Sequence, residues 1–278
     1  MRSPSTRVLL DPERRSYWDA DEPRPIRVHE WPHAPGDPLV VLSHGTGGSA
    51  GAMAWLAEPL SDAGFRVVAL DHHGNDAHGG YHPAGFLFGW ERPRDLTVVL
   101  DALEREGPLG PVGAAGFSYG GYTVAALAGA RLDPVVVGAV VGGAVPAPDI
   151  PEFPDVFERL RQEVSPDAVA AAVARSGADL SDDRVRAAFL VAPGLGGLVD
   201  PGSLRGVSVP VEIRWASADR INPFDADARP YLEGIPGAAG REVGPAGHED
   251  FIPPLRPEAP VRREVAADAV AFFRQHLG

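Results

Sequence analysis

The sequence predicts an α/β fold with a mostly parallel central sheet and helices on both of its faces. Short apolar runs without strict alternation recur along the chain, which is typical of strands buried on both sides. Amphipathic helical patterns separate these runs, and alternating strands and helices imply a parallel sheet. Because the chain has 278 residues and no recognisable linker or internal repeat, we expect one domain over residues 1–278.

The individual elements follow from the same patterns, beginning with an antiparallel edge strand at "RVHEW", residues 27–31. The strands of the parallel sheet are expected in the apolar runs that begin at residues 38, 65, 111, 185 and 209, namely "PLVVLSHG", "FRVVALDHH", "PVGAAGFS", "VRAAFLVAP" and "VPVEIRWAS". A further short strand is indicated by "REVG". The helices are expected in "AMAWLAEPLSDAG", "RPRDLTVVLDALEREG", "YGGYTVAALAGARL" and the closing "APVRREVAADAVAFFRQHLG".

The segment 133–183 interrupts this alternation. It contains the proline-rich stretch "AVPAPDIPEFPD" and two short amphipathic patterns, "VFERLRQEV" and "DAVAAAVARSG". Long inserted segments in compact domains often carry function. We therefore predict a small helical cap insertion here, with an enlarged surface connection as the alternative.

The composition narrows the classes of function. A formal net charge of -13 and the lack of a basic stripe disfavour nucleic acids and anionic membrane surfaces as partners. The chain has no cysteine, which excludes disulfides, thiolate zinc sites and a cysteine nucleophile. The start of the chain lacks an apolar stretch of signal-peptide length, and no window approaches a membrane span. A cytoplasmic protein is the expectation, and the sequence does not indicate an oligomeric state.

Ser118 is the candidate nucleophile. It lies in "GFSYG" between a predicted strand and a predicted helix, which fits the GxSxG turn that holds a nucleophilic serine. Such a turn brings the positions two before and two after the serine close together, so Gly116 and Gly120 meet a steric demand. The turn also points the first amides of the helix toward the hydroxyl.

A serine hydroxyl needs a histidine base that is oriented by a carboxylate. Two histidines follow Ser118 in the chain: His248, in the glycine- and proline-containing loop "VGPAGHEDF", and His276, within the closing helical pattern. We take His248 as the base, because side chains on loops after strands lie at the edge of the sheet where ligands bind.

Asp219 is the candidate acid, because it follows the buried strand in "VEIRWASADRINP". Asp200, Asp225 and Asp227 remain as alternatives, and a turn-forming role is the simpler explanation for any one of these aspartates alone.

The segment "SHGTGG", residues 43–48, directly follows a predicted strand and supplies glycines that let the backbone turn its amides toward the serine. The backbone N–H groups of Thr46 and Tyr119 are therefore the candidate oxyanion donors. His44 is expected to be buried beneath this loop and bonded to the backbone, without a catalytic role.

Six segments occur in a recognisable order, namely "LSHGTGG", "VVALDHHGN", "ERPRDLTVVLDAL", "GFSYGGYT", "SADRINP" and "AGHEDF". Together they resemble the α/β-hydrolase superfamily, and within it the serine esterases related to dienelactone hydrolases and platelet-activating-factor acetylhydrolases. The resemblance covers about residues 38–275. It implies an α/β-hydrolase fold and the roles given above for Ser118, Asp219, His248, Thr46 and Tyr119. Dienelactone hydrolases use a cysteine nucleophile, which this chain lacks, so the resemblance does not carry their substrate over.

A second group of chemistry-bearing residues lies in "DHHGNDAHGGYH", which gathers two aspartates and four histidines in twelve residues: Asp71, His72, His73, Asp76, His78 and His82. Such a density could ligate a divalent metal. Because the spacing matches no helix-based ligand pair, we assign no metal and expect the loop to wall the mouth of the site. The neighbouring "FLFGW", residues 86–90, is expected to supply aromatic surface there or to join the core.

These observations predict a serine hydrolase that cleaves carboxylic esters of small or medium uncharged substrates through an acyl-enzyme, with no cofactor. A thioesterase, lactonase or acyltransferase of a biosynthetic pathway is the alternative among enzymes. A non-catalytic binding protein on the same scaffold is the alternative from another class, since one fold hosts many functions.

Overall fold

The described residues, 4–34, 36–146 and 150–278 of a computed structural model, fold around one eight-stranded sheet. The strands are β1 Ser5–Arg15, β2 Pro23–Glu30, β3 Leu39–Ser43, β4 Arg66–Asp71, β5 Asn75–Asp76, β6 Gly80–Tyr81, β7 Val112–Phe117, β8 Val185–Val191, β9 Val211–Ala216 and β10 Ala239–Val243. The helices are α1 Ala54–Asp62, α2 Pro83–Leu87, α3 Glu91–Glu106, α4 Tyr119–Leu127, α5 Pro134–Val141, α6 Val156–Glu163, α7 Pro166–Ala174, α8 Pro201–Leu204, α9 Ala228–Gly234 and α10 Val261–Leu277. Short 3₁₀ turns span Gly51–Met53, Gly196–Leu198 and His248–Phe251.

The order of strands in the large sheet is β1-β2-β4-β3-β7-β8-β9-β10. Strand β2 runs antiparallel to both of its neighbours, and the pairings from β4 to β10 are all parallel. Strands β5 and β6 form a separate antiparallel pair. The predicted fold class, a mostly parallel sheet between helices, is confirmed.

The prediction that "RVHEW" forms the edge of the sheet is wrong. Strand β2 is antiparallel as expected, but β1 pairs along it from Ser5 to Arg15 and takes the edge position. Most residues of β1 are exposed or half-buried. Its sequence therefore lacks the apolar run by which the inner strands were recognised.

The inner strands are apolar throughout because helices cover both faces of the sheet. In β3, Leu39 and Val41 pack on the face covered by α3 and α4, and Val40 and Leu42 pack on the face covered by α1 and α10. All four side chains are fully buried. Successive side chains of a strand point to opposite faces, so both alternating sets must be apolar here.

The segment 133–183 contains three helices in its described part, α5, α6 and α7, whereas the sequence patterns predicted two. Helix α5 has the sequence "PVVVGAVV", and its valines have a higher propensity for strands than for helices. It begins because Pro134 occupies its first turn and the Asp133 carboxylate accepts hydrogen bonds from Val135 N and Val136 N. Residues 147–149, within the proline-rich part of the predicted cap, lie outside the described residues.

The carboxyl ends of the parallel strands meet at one edge of the sheet, and the candidate residues follow those ends. The loop 43–48 follows β3, Ser118 follows β7, Asp219 lies three residues after β9, and His248 lies five residues after β10. This is the edge at which open α/β sheets bind ligands. Within the described ranges, none of the helices combines the length and the apolar character that crossing a membrane requires.

Candidate active site

Ser118 lies on a tight turn between β7 and α4, and its φ of 57° is in the left-handed region. A residue other than glycine is strained there and persists only when its surroundings hold it. The flanking glycines have no room for a side chain. A Cβ on Gly116 would lie 2.0 Å from the Gly120 carbonyl oxygen, and a Cβ on Gly120 would lie 2.0 Å from the Ser43 carbonyl oxygen.

The third glycine of the turn, Gly121, meets the loop that follows β8. A Cβ there would lie 2.7 Å from Pro193 Cα. The loop and the end of β8 also bond the turn directly, since Gly194 N donates to the Ser118 carbonyl oxygen at 3.0 Å and Ser118 N donates to Val191 O at 2.9 Å. The turn is thus clamped between the β3 and β8 sides of the sheet.

The three polar side chains predicted to act together are hydrogen bonded in series. Ser118 Oγ lies 3.0 Å from His248 Nε2, and His248 Nδ1 lies 2.7 Å from Asp219 Oδ2. The ring of His248 also packs on Phe117, with 4.8 Å between the ring centroids. All three residues are buried, and Ser118 keeps 7% of its surface exposed. His276, the other histidine after Ser118, packs on Phe272 near the end of α10.

The Asp219 carboxylate is fixed on both of its oxygens. Oδ1 accepts hydrogen bonds from Ile221 N at 2.9 Å and from Asn222 N at 2.8 Å, which leaves Oδ2 for His248. These two backbone bonds orient the carboxylate so that Oδ2 faces His248.

The other aspartates that were weighed as the acid have different partners. Asp200 caps α8 by accepting a hydrogen bond from Gly202 N, and Asp225 forms a surface ion pair with Arg229. Asp227 accepts a hydrogen bond from Gly196 N at 3.2 Å. Burial, together with the nearby Asp219 charge, raises the pKa of Asp227 to about 6.

The loop 43–48 lies directly beside the serine. A Cβ on Gly45 would lie 3.2 Å from Ser118 Cβ, so Gly45 allows the closest approach. In the described part of the chain, the backbone N–H of Thr46 donates no hydrogen bond. Tyr119 is the first residue of α4, and the N–H at that position has no partner within a helix. Within the described ranges, neither backbone N–H is thus engaged in a hydrogen bond.

His44 is buried and bonded to the backbone, as expected. Its Nδ1 lies 2.6 Å from Gly45 O, and its Nε2 accepts a hydrogen bond from His72 N at 3.1 Å. Its carbonyl oxygen accepts a hydrogen bond from the buried Arg92 guanidinium, whose Cζ lies 4.5 Å from the ring of Tyr119. Burial lowers the pKa of Arg92 to about 10. Arg92 thus supports both segments that carry the candidate oxyanion donors.

A second series of serine, histidine and aspartate lies behind this loop. Ser43 Oγ lies 2.9 Å from His72 Nε2, and His72 Nδ1 lies 3.0 Å from Asp95 Oδ2. All three side chains are fully buried. We call this set the buried array, and we call the set around Ser118 the surface array because its residues keep a little exposed surface whereas those of the buried array keep none.

The buried array is held by arginines. Arg24 binds Asp95 with two hydrogen bonds, from Nε at 2.8 Å and from Nη2 at 3.0 Å, and Arg14 adds an ion pair at 2.8 Å. Burial alone would raise the pKa of Asp95, but the two guanidinium groups hold it well below its ordinary value. Burial, reinforced by the Arg92 charge, lowers the pKa of His72 to about 3.

The remaining polar residues of the segment 71–82 point into separate networks. Asp71 accepts a hydrogen bond from Ala50 N at 2.6 Å, His73 Nε2 accepts one from Tyr17 N at 3.0 Å, and His82 Nδ1 caps α2. Asp76 accepts a hydrogen bond from His78 N at 2.9 Å. Across the described ranges, no three histidine or carboxylate side chains are grouped so that they could hold a metal ion.

The aromatic stretch at 86–90 belongs to the core, because Phe86, Phe88 and Trp90 are all buried. Phe86 also forms a small cluster with Phe153 from the segment 133–183, with ring centroids 5.2 Å apart. Tyr81 joins this cluster and donates a hydrogen bond to Gly47 O at 2.8 Å. The cluster therefore connects the segment 133–183 to the loop 43–48.

Sequence reasoning missed Asn222. Its Nδ2 lies 3.3 Å from Ser118 Oγ and 2.8 Å from Ala192 O. The residue stands three positions after Asp219 in "DRINP", but 104 positions separate it from Ser118, so no local spacing could reveal the contact.

Comparison with known proteins gives a consistent family assignment. Residues 34–199 match the model of a family described as Hydrolase_4, serine aminopeptidase S33. The matched range contains the loop 43–48 and Ser118 and ends before Asp219.

Individual relatives are more distant. A Klebsiella pneumoniae protein that carries the name "Putative carbamate hydrolase RutD" is 33% identical over 99 residues, which are 35% of this chain and 33% of that protein. The chain thus matches about one third of the length of its curated relatives.

Solved structures share the fold at low identity. A dienelactone hydrolase from Anabaena variabilis has a TM-score of 0.60 at 15% identity, with all of both chains covered. A cold-adapted esterase from an Arctic intertidal metagenomic library has a TM-score of 0.57 at 18% identity, with 99% of this chain and 94% of that chain covered. The fold is therefore that of the α/β-hydrolases.

Proposed function

Because the chain belongs to the Hydrolase_4 family of serine aminopeptidase S33 type, we propose that it is a serine hydrolase that cleaves carboxylic esters. One observation carries the proposal: Ser118 Oγ, His248 and Asp219 are hydrogen bonded in series, with 3.0 Å and 2.7 Å between the bonded atoms. A hydroxyl in this relay can be deprotonated during attack, which an isolated serine cannot be at neutral pH.

The proposed reaction has two halves. In the first, Ser118 Oγ attacks the ester carbonyl carbon while its proton passes to His248 Nε2, and Asp219 stabilises the resulting imidazolium. The tetrahedral intermediate collapses, the C–O bond to the alcohol breaks, and the leaving alcohol takes the proton from His248. In the second half, a water gives its proton to His248 and attacks the acyl-enzyme, which releases the acid and returns the proton to Ser118 Oγ. No step uses a cofactor.

We assign the oxyanion to the backbone N–H groups of Thr46 and Tyr119. Support comes from the unused N–H of Thr46 in the described part of the chain, from the position of Tyr119 at the start of α4, and from the close approach of Gly45 to Ser118. Two preformed amide donors stabilise charge that develops only in the transition state.

We also propose that the segment 133–183 is a cap over this site. The contact of Phe153 with Phe86 and Tyr81, and the hydrogen bond from Tyr81 to Gly47 O, support this role. The aromatic cluster gives the cap side an apolar character, which favours a small or medium uncharged ester as the substrate.

The test is a substrate panel on the wild-type protein and on Ser118→Ala. The panel contains p-nitrophenyl esters of graded chain length, matched thioesters, lactones, aryl carbamates and aminoacyl anilides. We expect the esters to turn over fastest, and Ser118→Ala to lose at least about a thousandfold of the turnover. Retention of activity within a few fold in Ser118→Ala would refute the assignment.

The panel also separates the competing functions. Addition of a small alcohol that increases ester product at the expense of acid would identify an acyltransferase. Fastest turnover of thioesters, lactones, carbamates or anilides would replace the ester assignment by that class. A folded wild-type protein that cleaves nothing and does not react with a fluorophosphonate would identify a binding protein on the same scaffold.

A further inference from the structure

Asn222 makes a polar contact with the hydroxyl oxygen of Ser118 that is separate from the contact with His248. Its Nδ2 lies 3.3 Å from Ser118 Oγ. The orientation of the amide is fixed by chemistry, because the same Nδ2 lies 2.8 Å from the carbonyl oxygen of Ala192, which can only accept. The amide nitrogen must therefore donate, and Ser118 Oγ accepts from Asn222 while it donates to His248.

The amide is held in place from several directions. Asn222 N donates to Asp219 Oδ1 at 2.8 Å, so the backbone at this residue is tied to the acid. A Cβ on Gly194 would lie 3.2 Å from Asn222 Nδ2, which shows how closely the chain surrounds the amide. One N–H of Nδ2 is used by Ala192 O, and the geometry leaves the other for Ser118 Oγ.

Asn222 also joins two strained residues. Ser118 has a φ of 57° and Ala192 a φ of 41°, and neither is a glycine. Strain of this kind persists at functional sites only where neighbouring groups fix it. One side chain bonds the hydroxyl of the first residue and the carbonyl of the second.

We propose that Asn222 is a further catalytic residue, one that stabilises negative charge on Ser118 Oγ; this rests on the proposed function. As the Ser118 proton passes to His248, the electron pair of the broken O–H bond stays on Oγ and forms the bond to the carbonyl carbon. In deacylation, Oγ leaves the acyl carbon with its electron pair and takes the proton back from His248. The N–H donated by Asn222 strengthens in both steps, because hydrogen bonds to charged acceptors are stronger than those to neutral ones.

The test measures second-order rate constants for labelling of Ser118 by a fluorophosphonate, since phosphonylation uses the same attack by Oγ. We expect Asn222→Ala to label at least about tenfold more slowly than the wild type. Asn222→Asp keeps the shape of the side chain but places a carboxylate beside Oγ, and should label more slowly still. It serves as the second variant should Asn222→Ala fail to fold, with circular dichroism as the check on folding.

Tyr231→Phe is the matched control. Tyr231 is fully buried and its hydroxyl donates to Gly194 O at 2.8 Å, so the substitution removes another hydrogen bond to the loop that contains Ala192 without touching Ser118. We expect Tyr231→Phe to label within about twofold of the wild type.

Each outcome bears on the proposal. Wild-type labelling rates in both Asn222 variants would overturn the inference and leave the proposed function intact. Equal slowing in Asn222→Ala and Tyr231→Phe would assign the effect to the rigidity of the loop and would also overturn it. A folded wild type that does not label would remove the proposed function and the inference together.

Discussion

The described residues contain two serine–histidine–aspartate arrays of nearly the same geometry that lie in different surroundings. In the surface array the two hydrogen-bond distances are 3.0 Å and 2.7 Å. In the buried array of Ser43, His72 and Asp95 they are 2.9 Å and 3.0 Å. The hydrogen-bonded series alone therefore does not distinguish a nucleophile from a structural network.

The surroundings distinguish them. Ser118 has a strained φ, follows the carboxyl end of a parallel strand and keeps 7% of its surface exposed, whereas Ser43 is a regular residue of β3 with no exposed surface. Burial and the Arg92 charge lower the pKa of the His72 imidazole to about 3, which disfavours its protonation at neutral pH. A base requires a pKa near the working pH.

The largest effect should come from removal of the base of the surface array. His248→Ala takes away the acceptor of the Ser118 proton, and we expect kcat/KM toward the best ester of the panel to fall at least about ten thousandfold. Steady-state kinetics on protein of verified fold measure this. A loss of kcat/KM below tenfold would show that the surface array, like the buried one, has a structural role and not a catalytic one.

The buried array should respond through stability instead. Asp95→Asn leaves the buried Arg24 guanidinium without its charged partner. It also removes one of the three carboxylates paired with Arg14, which keeps Asp11 and Glu91. We expect the free energy of unfolding to fall by about 3 to 5 kcal/mol. Urea unfolding followed by circular dichroism measures the change. A stability equal to that of the wild type would show that the arginine cluster does not depend on this carboxylate.

The two arrays are in contact where the turn that carries Ser118 packs on the backbone of Ser43, and Gly120→Ala should disturb this contact. The added methyl would lie 2.0 Å from the Ser43 carbonyl oxygen, so the turn of Ser118 and the end of β3 must move apart. We expect a loss of about 3 kcal/mol in the free energy of unfolding. Gly107→Ala is the control, because a Cβ there meets nothing within 4 Å, and its effect should stay within about 0.5 kcal/mol. Equal effects of the two substitutions would contradict the close approach.

The smallest of these effects concerns the pH dependence of the free energy of unfolding, to which the two regions contribute with opposite signs. Asp227, beside the surface array, has its pKa raised to about 6 by burial and by the Asp219 charge. The folded state therefore holds this proton more tightly than the unfolded chain, and the resulting stability is lost as the pH rises through about 6. Burial lowers the pKa of His72 to about 3, so its contribution is present above about 6.5 and is lost as the pH falls.

Asp227→Asn separates these contributions. The substitution removes the penalty of ionising a buried carboxylate, so its stabilising effect should grow by about 2 kcal/mol between about pH 4.5 and 7.5. Urea unfolding of both proteins at the two pH values measures this. A difference that does not change with pH would show that Asp227 titrates alike in the folded and unfolded chains.

The sequence predicted much of the fold because the inner strands are buried on both faces and leave continuous apolar runs. It failed for β1, whose exposed edge position removes that signal, and for α5, whose valines favour a strand while Asp133 and Pro134 start a helix. The capping pair was visible in the sequence, but the prediction assigned no element to this stretch.

The candidate site likewise contains residues that the sequence could predict and residues that it could not. Ser118 carries a local steric signature, and His248 follows from the small number of histidines after it. Asn222 and the buried array carry no such signature, because their contacts join residues that only the sheet brings together. His72 illustrates the difficulty. In the sequence it belongs to a group of histidines and aspartates that resembles a metal site, whereas in the fold its ring is hydrogen bonded to Ser43 and Asp95.

The most direct test of the central claim compares fluorophosphonate adducts on the wild type, Ser118→Ala and Ser43→Ala by intact mass and peptide mapping. The account predicts one adduct per chain, on Ser118, that persists in Ser43→Ala and disappears in Ser118→Ala. An unlabelled folded wild type, or an adduct that remains in Ser118→Ala, would contradict it.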